Sequence, residues 1–450
     1  MIGCKFLIIG SGQSGLYLAK QIASQGQQVI LLEQDVFGGS YIHNLEIPKY
    51  WLKQEANKFQ LSLEIFRGFH KTHKALIHHR QSLRKVLQGK TMATYQYFWQ
   101  EYKSISNLQV IQGKASFYSR NIVQVQTANS LELITFEHVL IAVGKNTLVK
   151  PNYIDIDVDF LHQYNIFQLP TVPNSLAIIG FTPFNLEVAE IYASLGIKVE
   201  IFDQKNLYES MPVLSEQAID YLQRSLSQKN IQCHFDQRVS HVFNTGAKNN
   251  PSVGVQVDKK TYLFESVFQF VDETFQDKGL NLNEVGVNYS AAGIVTDVRS
   301  RTTLQHVWSF GSCNSRIIEQ NKNHQLTDFC FKVKQKNPYI ELWDRAGIMT
   351  GNQGFLSTDE MYLHLNLQRP ISVIGITEVM AKNMFFPDFS TENIHKINLE
   401  GFITLLYRPS SGQLIGAVIA GEMSSYRHYL NLALSQKLHI REILRYIITG

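Results

Sequence analysis

Long apolar runs are missing from this sequence of 450 residues. The longest, such as residues 6–9 and 139–143, have the length of a strand. They fall well short of the roughly 18 residues that a membrane-spanning helix needs. The first residues also lack a basic segment followed by a hydrophobic one, and they lead directly into an apolar strand and a glycine turn. We therefore expect a cytoplasmic protein without a membrane partner.

Charge of one sign is not in excess either. The sequence has 42 Lys and Arg against 38 Asp and Glu, and its basic residues form no run. Nucleic acid, which is bound by a basic stripe or patch, is therefore not an expected partner. With 44% hydrophobic and 18% charged residues, the composition is that of a globular protein. A chain of this length exceeds one hydrophobic core, so two or three domains are expected.

Cysteine is scarce. The four cysteines, Cys4, Cys233, Cys313 and Cys330, form no CxxC or CxxxxC pair, and we interpret them as buried reduced thiols. Histidines cluster in a segment of helical character, at His70, His73, His78 and His79. No carboxylate or cysteine frames them as a ligand set, so a solvated helix face is favoured and no metal is expected.

A glycine turn near the start of the chain predicts a dinucleotide site. Residues 5–9 form an apolar strand, a helical pattern follows the turn, and a second strand ends on Glu33. The turn itself reads Gly10, Ser11, Gly12, Gln13, Ser14, Gly15. The three glycines permit the tight turn, the approach of a pyrophosphate and close helix–strand packing. The helix N-terminus attracts the phosphates, and Glu33 accepts the ribose hydroxyls.

The same order of elements recurs about 170 residues later with an altered turn. A strand at 175–179 leads to Gly180, and the strand at 198–202 is followed by Asp203. The second and third glycine positions hold Thr182 and Asn185, and Pro183 removes one N–H donor. Two interpretations stay open: NAD(H) binding, with Asp203 favouring NAD over NADP, or a structural relic that binds nothing.

The segment after Glu33 resembles a known redox motif. The pyridine nucleotide–disulfide oxidoreductases, the family of dihydrolipoamide dehydrogenase, glutathione reductase and mercuric reductase, carry the pattern GGTCxNxGCxPxK. The matching residues here are Gly38, Gly39, Ser40 and Pro48. Tyr41 and Glu46 occupy the two cysteine positions. Tyr50 stands where the family has a lysine beside the flavin, although Lys49 is adjacent.

Further segments along the chain are similar to the same family. By this resemblance, cofactor-binding positions are also expected at Ala115, Gly144, Glu187, Gly311 and Ser312. Ser312 stands where the family has an aspartate that accepts a hydrogen bond from the flavin's ribityl chain. Residues 373–378 and 412–421 resemble the dimerisation domain, whereas residues 270–275 replace the second ATGRxPN motif. The sequence ends at Gly450, before the family's HPTxxE stretch, so we expect its histidine to be missing.

The resemblance implies an α/β fold with two doubly wound, Rossmann-like dinucleotide-binding domains and a C-terminal α+β dimerisation domain. We expect an FAD-binding domain at 1–150, an NAD(P)-binding-like domain at 151–275, a segment returning to the FAD domain at 276–335, and the dimerisation domain at 336–450. It also implies a homodimer that binds FAD, together with NAD(H) if the altered second turn still functions.

The substituted cysteines decide the expected chemistry. Disulfide reduction needs a thiolate nucleophile and a resolving sulfur, which Tyr41 and Glu46 do not supply. No catalytic residue is therefore assigned, and disulfide reductase activity is excluded. Three hypotheses remain: a flavoprotein with weak, diaphorase-like NADH:acceptor activity toward an unknown small molecule, an inactive pseudoenzyme acting as a dimeric scaffold, or a new activity using Glu46 and Tyr41 as acid and base.

Overall fold

The computed structural model describes residues 2–65, 72–145, 147–169, 171–246, 253–297, 299–315, 362–383 and 388–449. Of residues 63–64, 72–81, 362 and 449 only the backbone is described. Cys330, His70 and the expected boundary at 335/336 lie outside these ranges, as do the side chains of the other three clustered histidines.

The first sheet has seven strands within the described residues, in the order β3-β2-β1-β6-β5-β4, with β18 also pairing with β6. The strands are β1 Ile2–Ile9, β2 Val29–Glu33, β3 Leu108–Gln112, β4 Lys114–Ser119, β5 Ile122–Gln126, β6 Leu131–Ile141 and β18 Val307–Ser309. β3, β2, β1, β6 and β18 run parallel, and β4 and β5 form an antiparallel arm. The connection reverses direction between β1 and β6, where doubly wound sheets bind ligands.

Four helices accompany this sheet: α1 Gln13–Ser24, α2 Gly39–His43, α3 Glu46–Ile65 and α4 Thr72–Lys103. β1 and β2 contain uninterrupted apolar runs at residues 6–9 and 29–32, all of them buried, as expected for parallel strands covered on both faces. α1 buries one face, including Leu16, Leu18 and Ile22, against the sheet.

The second sheet is parallel, in the order β10-β9-β8-β14. Its strands are β8 Ser175–Ile179, β9 Lys198–Phe202, β10 Gln232–His234 and β14 Ser266–Gln269. The associated helices are α5 Pro183–Ser194, α6 Leu207–Ser210 and α7 Glu216–Gln228. An antiparallel sheet, β11 Val239–Asn244, β12 Val253–Val257 and β13 Lys260–Phe264, lies between α7 and β14 in the chain. The reversal here falls between β8 and β14.

Short elements connect the units. Two small antiparallel pairs form, β7 Thr147–Leu148 with β15 Glu273–Thr274, and β16 Tyr289–Ser290 with β17 Gly293–Ile294. α8 spans Leu282–Val285, and 3-10 turns lie at Ile166–Gln168 and Gly311–Cys313. The chain thus leaves the first unit beside β7, builds the second, and returns beside β15 to place β18 in the first sheet.

The last sheet is antiparallel, in the order β19-β20-β23-β22-β21. Its strands are β19 Tyr362–Leu365, β20 Ile371–Gly375, β21 Ser390–Ile394, β22 Gly401–Arg408 and β23 Gln413–Gly421. Its helices are α9 Glu378–Asn383, α10 Arg427–Ser435 and α11 Ile440–Thr449, with a 3-10 turn at Glu422–Tyr426. One core lies between this sheet and α10 and α11. The predicted fold class, two doubly wound α/β units and a C-terminal α+β unit, is confirmed.

The second unit packs against both α3 and the last sheet. Its hydrophobic core is continuous with residues of α3, including Leu52 and Phe59, and with residues of the last sheet, including Leu363 and Val418. α3 therefore packs onto α5 of the second unit.

Candidate nucleotide-binding site

The first glycine turn has no room for side chains at two positions and open space at a third. Gly10 has φ +102°, and a Cβ there would lie 2.6 Å from the Ala142 carbonyl oxygen at the end of β6. A Cβ on Gly15 would lie 1.8 Å from the Gly10 oxygen. At Gly12 no described protein atom lies within 4 Å of that position. The turn thus brings bare backbone to the reversal point between β1 and β6.

The N-terminus of α1 is available to a ligand. Gly12 is its N-cap residue, and no side chain makes a capping hydrogen bond. The first N–H groups of a helix have no partner within the helix, and the helix dipole makes this end positive. Among the described residues, then, the N–H groups after Gly12 are left for an anion such as a pyrophosphate.

Glu33 is held in place by the turn itself. Its Oε2 accepts hydrogen bonds from the Ser11 backbone N at 2.9 Å and from Ser11 Oγ at 2.5 Å, and its Oε1 accepts one from Asp35 N at 3.0 Å. Ser11 Oγ in turn accepts from Gly38 N at 2.8 Å. Because an ionised carboxylate has about four acceptor positions, roughly one remains for a ribose hydroxyl.

Other expected positions surround the same turn. A Cβ on Gly39, which begins α2, would lie 3.5 Å from Gly12 Cα, and a Cβ on Gly311 would lie 2.6 Å from Ser14 Oγ. Gly144 follows β6, and the nearest atom to a Cβ there is Ser312 Oγ at 3.6 Å. The structure therefore gathers Gly39, Gly144, Gly311 and Ser312 around the turn.

For three expected residues, no side-chain contact with the first turn is described. Gln13 opens α1, and Ser40 is in α2, where its carbonyl accepts from Asn44 N at 2.9 Å and Leu45 N at 2.8 Å. Ala115 is buried in the core of the antiparallel arm, opposite Val125, and no described contact joins it to the turn.

Lys49 is the charged residue at the start of α3 that faces inward. Its Nζ lies 3.0 Å from a carboxylate oxygen of Glu46 and 3.0 Å from one of Glu187 on α5. Burial alone would lower the pKa of the Lys49 ammonium, but the carboxylates of Glu187 and Glu46 outweigh it and raise that pKa. Tyr50, at the family's lysine position, is instead 53% exposed. Glu187, expected at the cofactor, is engaged by this ion pair.

The second turn is closed by its own side chains. Thr182 is the N-cap of α5, its Oγ1 accepts from Asn185 N at 3.2 Å, and Pro183 follows it. Asn185 is fully buried, and its Nδ2 donates to the carbonyl oxygens of Ile179 at 3.0 Å and Gly180 at 2.8 Å. Asp203 accepts from Phe181 N at 2.7 Å through Oδ2 and from Lys205 N at 2.9 Å through Oδ1. The contact from Asp203 to the turn parallels that of Glu33, but the helix end is capped.

Comparison with known proteins decides the family. The family described as pyridine nucleotide-disulphide oxidoreductase matches residues 4–327, about 72% of the chain. The chain belongs to this family. It is 24% identical over 432 residues to a dihydrolipoyl dehydrogenase of Bacillus subtilis (strain 168), covering 92% of this chain and 88% of that protein. A mercuric reductase of Shigella flexneri is 22% identical, with 97% and 76% covered.

Solved structures agree with the fold. HOCl-induced flavoprotein disulfide reductase RclA from Escherichia coli superposes with a TM-score of 0.74 at 18% identity, covering 98% of this chain and 95% of that one. LpdA from Mycobacterium tuberculosis superposes with a TM-score of 0.79 at 17% identity, with 98% and 95% covered. At these identities the likeness shows the fold alone.

Unlike the family's motif, this member has no cysteine in the described part of α2 and α3. The described cysteines lie on β1, on β10 and in the 3-10 turn after β18, and all three are free. Burial raises the pKa of the Cys4 and Cys233 thiols to about 12 and that of Cys313 above its ordinary value. Such thiols remain protonated at neutral pH and are poor nucleophiles.

Within the described residues, no group of three or more His, Cys, Asp or Glu side chains is arranged to hold a metal ion. Nor does any helix in the described ranges combine the length and apolar character required to cross a bilayer.

Proposed function

We propose that this protein is an FAD-binding flavoprotein that does not reduce disulfides. The first turn is the observation that carries the proposal, because it combines bare backbone at Gly12, an uncapped helix N-terminus and an oriented Glu33. These are the features that hold the pyrophosphate and adenosine ribose of a dinucleotide. Bound FAD would supply the electron-transfer chemistry.

Each residue around the turn has a role in holding the cofactor. Gly10 and Gly15 let strand and helix approach closely, and Gly12 leaves space for the pyrophosphate. Ser11 fixes the Glu33 carboxylate, which presents an acceptor to a ribose hydroxyl. Ser312 Oγ already accepts from Lys145 N at 3.1 Å, so its hydroxyl hydrogen is free to donate toward a ligand where the family has an acceptor.

The redox segment of this chain holds charge in place of sulfur. Glu46 and Lys49 form an ion pair that continues to Glu187, and Tyr41 packs against the hydrophobic core between β1 and α1. Neither a phenol nor a carboxylate forms a mixed disulfide, so no thiol relay is proposed. The acceptor of electrons is then a small molecule that reaches the cofactor directly. The protein is cytoplasmic, and two copies assemble into a homodimer through the C-terminal unit.

A visible absorption spectrum of the purified protein tests the proposal. We expect bands of bound flavin, or saturable uptake of added FAD by the apoprotein. A colourless preparation that takes up no FAD contradicts the proposal.

A matched pair of alanine variants locates the site. In Gly12→Ala the new methyl meets no described protein atom within 4 Å and the backbone φ of −62° suits alanine, so folding is retained. FAD affinity should fall at least tenfold. Gly89→Ala, also in open space but in the middle of α4, should leave FAD affinity unchanged. Equal FAD affinity in both variants would place the flavin elsewhere.

A dimeric scaffold without turnover is the second candidate. The self-capped second turn favours it, because turnover in this family draws on two dinucleotide sites. Steady-state reduction of a small acceptor such as a quinone or ferricyanide separates the two, with the electrons supplied by a simple dihydronicotinamide, a hydride donor that needs no dinucleotide site. A rate no greater than that of free FAD supports the scaffold, and a rate well above it supports the flavoenzyme.

A further inference from the structure

Phenylalanines follow three of the four strand ends of the second sheet. Phe181 lies two residues beyond β8, Phe235 directly follows β10, and Phe270 directly follows β14. Because these strands are parallel, the three rings are brought to one edge of the sheet, where a doubly wound unit binds its ligand. Phe184, in the first turn of α5, is the fourth ring at this edge.

The rings pack in two pairs at this edge. The centroids of Phe181 and Phe235 are 5.0 Å apart, and those of Phe184 and Phe270 are 5.2 Å apart, both in edge-to-face arrangements. Phe181 is 3% exposed and Phe184 is 5% exposed. The Phe184–Phe270 contact joins the β8 and β14 sides of the reversal point. We infer that this aromatic cluster has replaced the nicotinamide dinucleotide site of the second unit, and that this unit does not bind NAD(H) or NADP(H).

The helix N-terminus supports the same inference independently. Pro183 has no N–H, and the Asn185 N–H is taken by Thr182 Oγ1. Asn185 is fully buried, so its side chain occupies space that a glycine at this position would leave open. The end of α5 therefore presents fewer free N–H donors than the end of α1.

The converted unit has a structural role instead. α5 carries Glu187, which pairs with Lys49 of α3, and Glu190, whose two carboxylate oxygens accept from Gln368 N at 2.8 and 2.7 Å. Gln368 belongs to the loop between β19 and β20. α5 thus connects the redox segment to the C-terminal sheet, and most of its residues are buried. α5, held from both sides in this way, acts as a structural strut. Its N-terminus is capped by Thr182 and so needs no ligand.

Calorimetric titration of FAD-saturated protein with NADH and with NADPH tests the inference. FAD is added first because it fills the first turn, so that any further binding reports on the second unit. We expect no saturable heat up to millimolar nucleotide. Saturable binding of either nucleotide with a Kd below about 1 mM, roughly 4 kcal/mol of binding free energy, would overturn the inference.

A second arm keeps this test separate from the proposed function. If the protein takes up no FAD, the titrations are repeated on Gly12→Ala, in which the first turn is obstructed but the fold is retained, as checked by circular dichroism. The inference again predicts no saturable binding and no rise in Tm with NADH, since ligand binding to the folded state raises Tm. A concentration-dependent rise in Tm in that variant contradicts the inference, whatever the outcome with FAD.

Discussion

The two glycine turns of this chain share one contact and differ in the rest. Glu33 Oε2 accepts from Ser11 N at 2.9 Å in the first turn, and Asp203 Oδ2 accepts from Phe181 N at 2.7 Å in the second. The acid at the end of the second strand therefore holds the turn in both units. Its presence alone does not indicate a ligand, because it is equally satisfied in a turn whose edge is filled with phenylalanines.

What separates the turns is how each helix end is satisfied. The N-cap residue of α1 is Gly12, which has no side chain to cap the helix, whereas the N-cap residue of α5 is Thr182, whose side chain caps it. Gly15 lies so close to Gly10 that no Cβ fits, whereas Asn185 uses its side chain to bridge the corresponding backbone. The first turn has donors for a ligand, and the second has replaced the ligand with its own side chains.

The largest effect is expected at the link between α3 and α5. Lys49→Met leaves the Glu187 carboxylate, 12% exposed, without its cation. Breaking a buried pair from one side costs about 3 kcal/mol or more of unfolding free energy. Denaturant titration measures it. Lys382→Met removes an exposed pair with Glu378 at 2.6 Å and should cost about 0.5 kcal/mol or less. Equal losses in the two variants would contradict the role of α5 as a strut.

The same ion pair predicts the alkaline stability of the protein. The pKa of Lys49 is raised in the folded state, so its contribution is complete below the unfolded pKa near 10.4 and is lost as pH rises through the higher folded value. Wild-type stability should therefore fall above about pH 10 more steeply than that of Lys49→Met. Parallel pH profiles of the two proteins would show that Lys49 is not the group responsible.

A smaller loss is expected where Asn185 closes the second turn. Asn185→Ala removes donors from the carbonyl oxygens of Ile179 and Gly180 at a fully buried position. Leaving such groups without a partner costs about 1–3 kcal/mol of unfolding free energy. Asn129→Ala, in an exposed turn, should change it by less than about 0.5 kcal/mol. If Asn185→Ala proved equally neutral, the side chain would not be holding the turn.

The smallest effect belongs to the cap of α5. Thr182→Ala removes the hydrogen bond to Asn185 N and should lower the unfolding free energy by about 1 kcal/mol, whereas Thr182→Ser keeps it. Thermal unfolding of the three proteins with and without NADH gives both readouts. A gain of NADH-dependent stabilisation in Thr182→Ala would mean that the cap alone excludes the nucleotide and that the phenylalanines do not.

Local patterns in the sequence predict the fold and the first turn well. A buried apolar strand, a glycine turn and a helix follow one another within residues 5–24, so the first unit is encoded in adjacent residues. The altered second turn is also visible in Thr182, Pro183 and Asn185. That the chain belongs to the expected family follows from motifs spread along its length.

Contacts between segments that are distant in the sequence could not be predicted from such local patterns. Lys49 rather than Tyr50 points inward, because a difference of one residue on a helix rotates a side chain by about 100°. The pairs Phe181–Phe235 and Phe184–Phe270 form only in the folded sheet, although a phenylalanine after three of the four strand ends is the signal that was available. The hydrogen bond from Ser11 Oγ to Glu33 likewise depends on the folded turn. It leaves the Glu33 carboxylate with fewer acceptor positions than the two hydroxyls of a ribose need.

The numbers of FAD and NADH molecules bound per chain test the contrast between the two turns most directly. Purified protein is equilibrated by dialysis against FAD and NADH together, and each nucleotide retained per chain is quantified. One FAD and no NADH per chain is the result that we predict. Retention of one FAD and one NADH, or of NADH in place of FAD, would contradict the account.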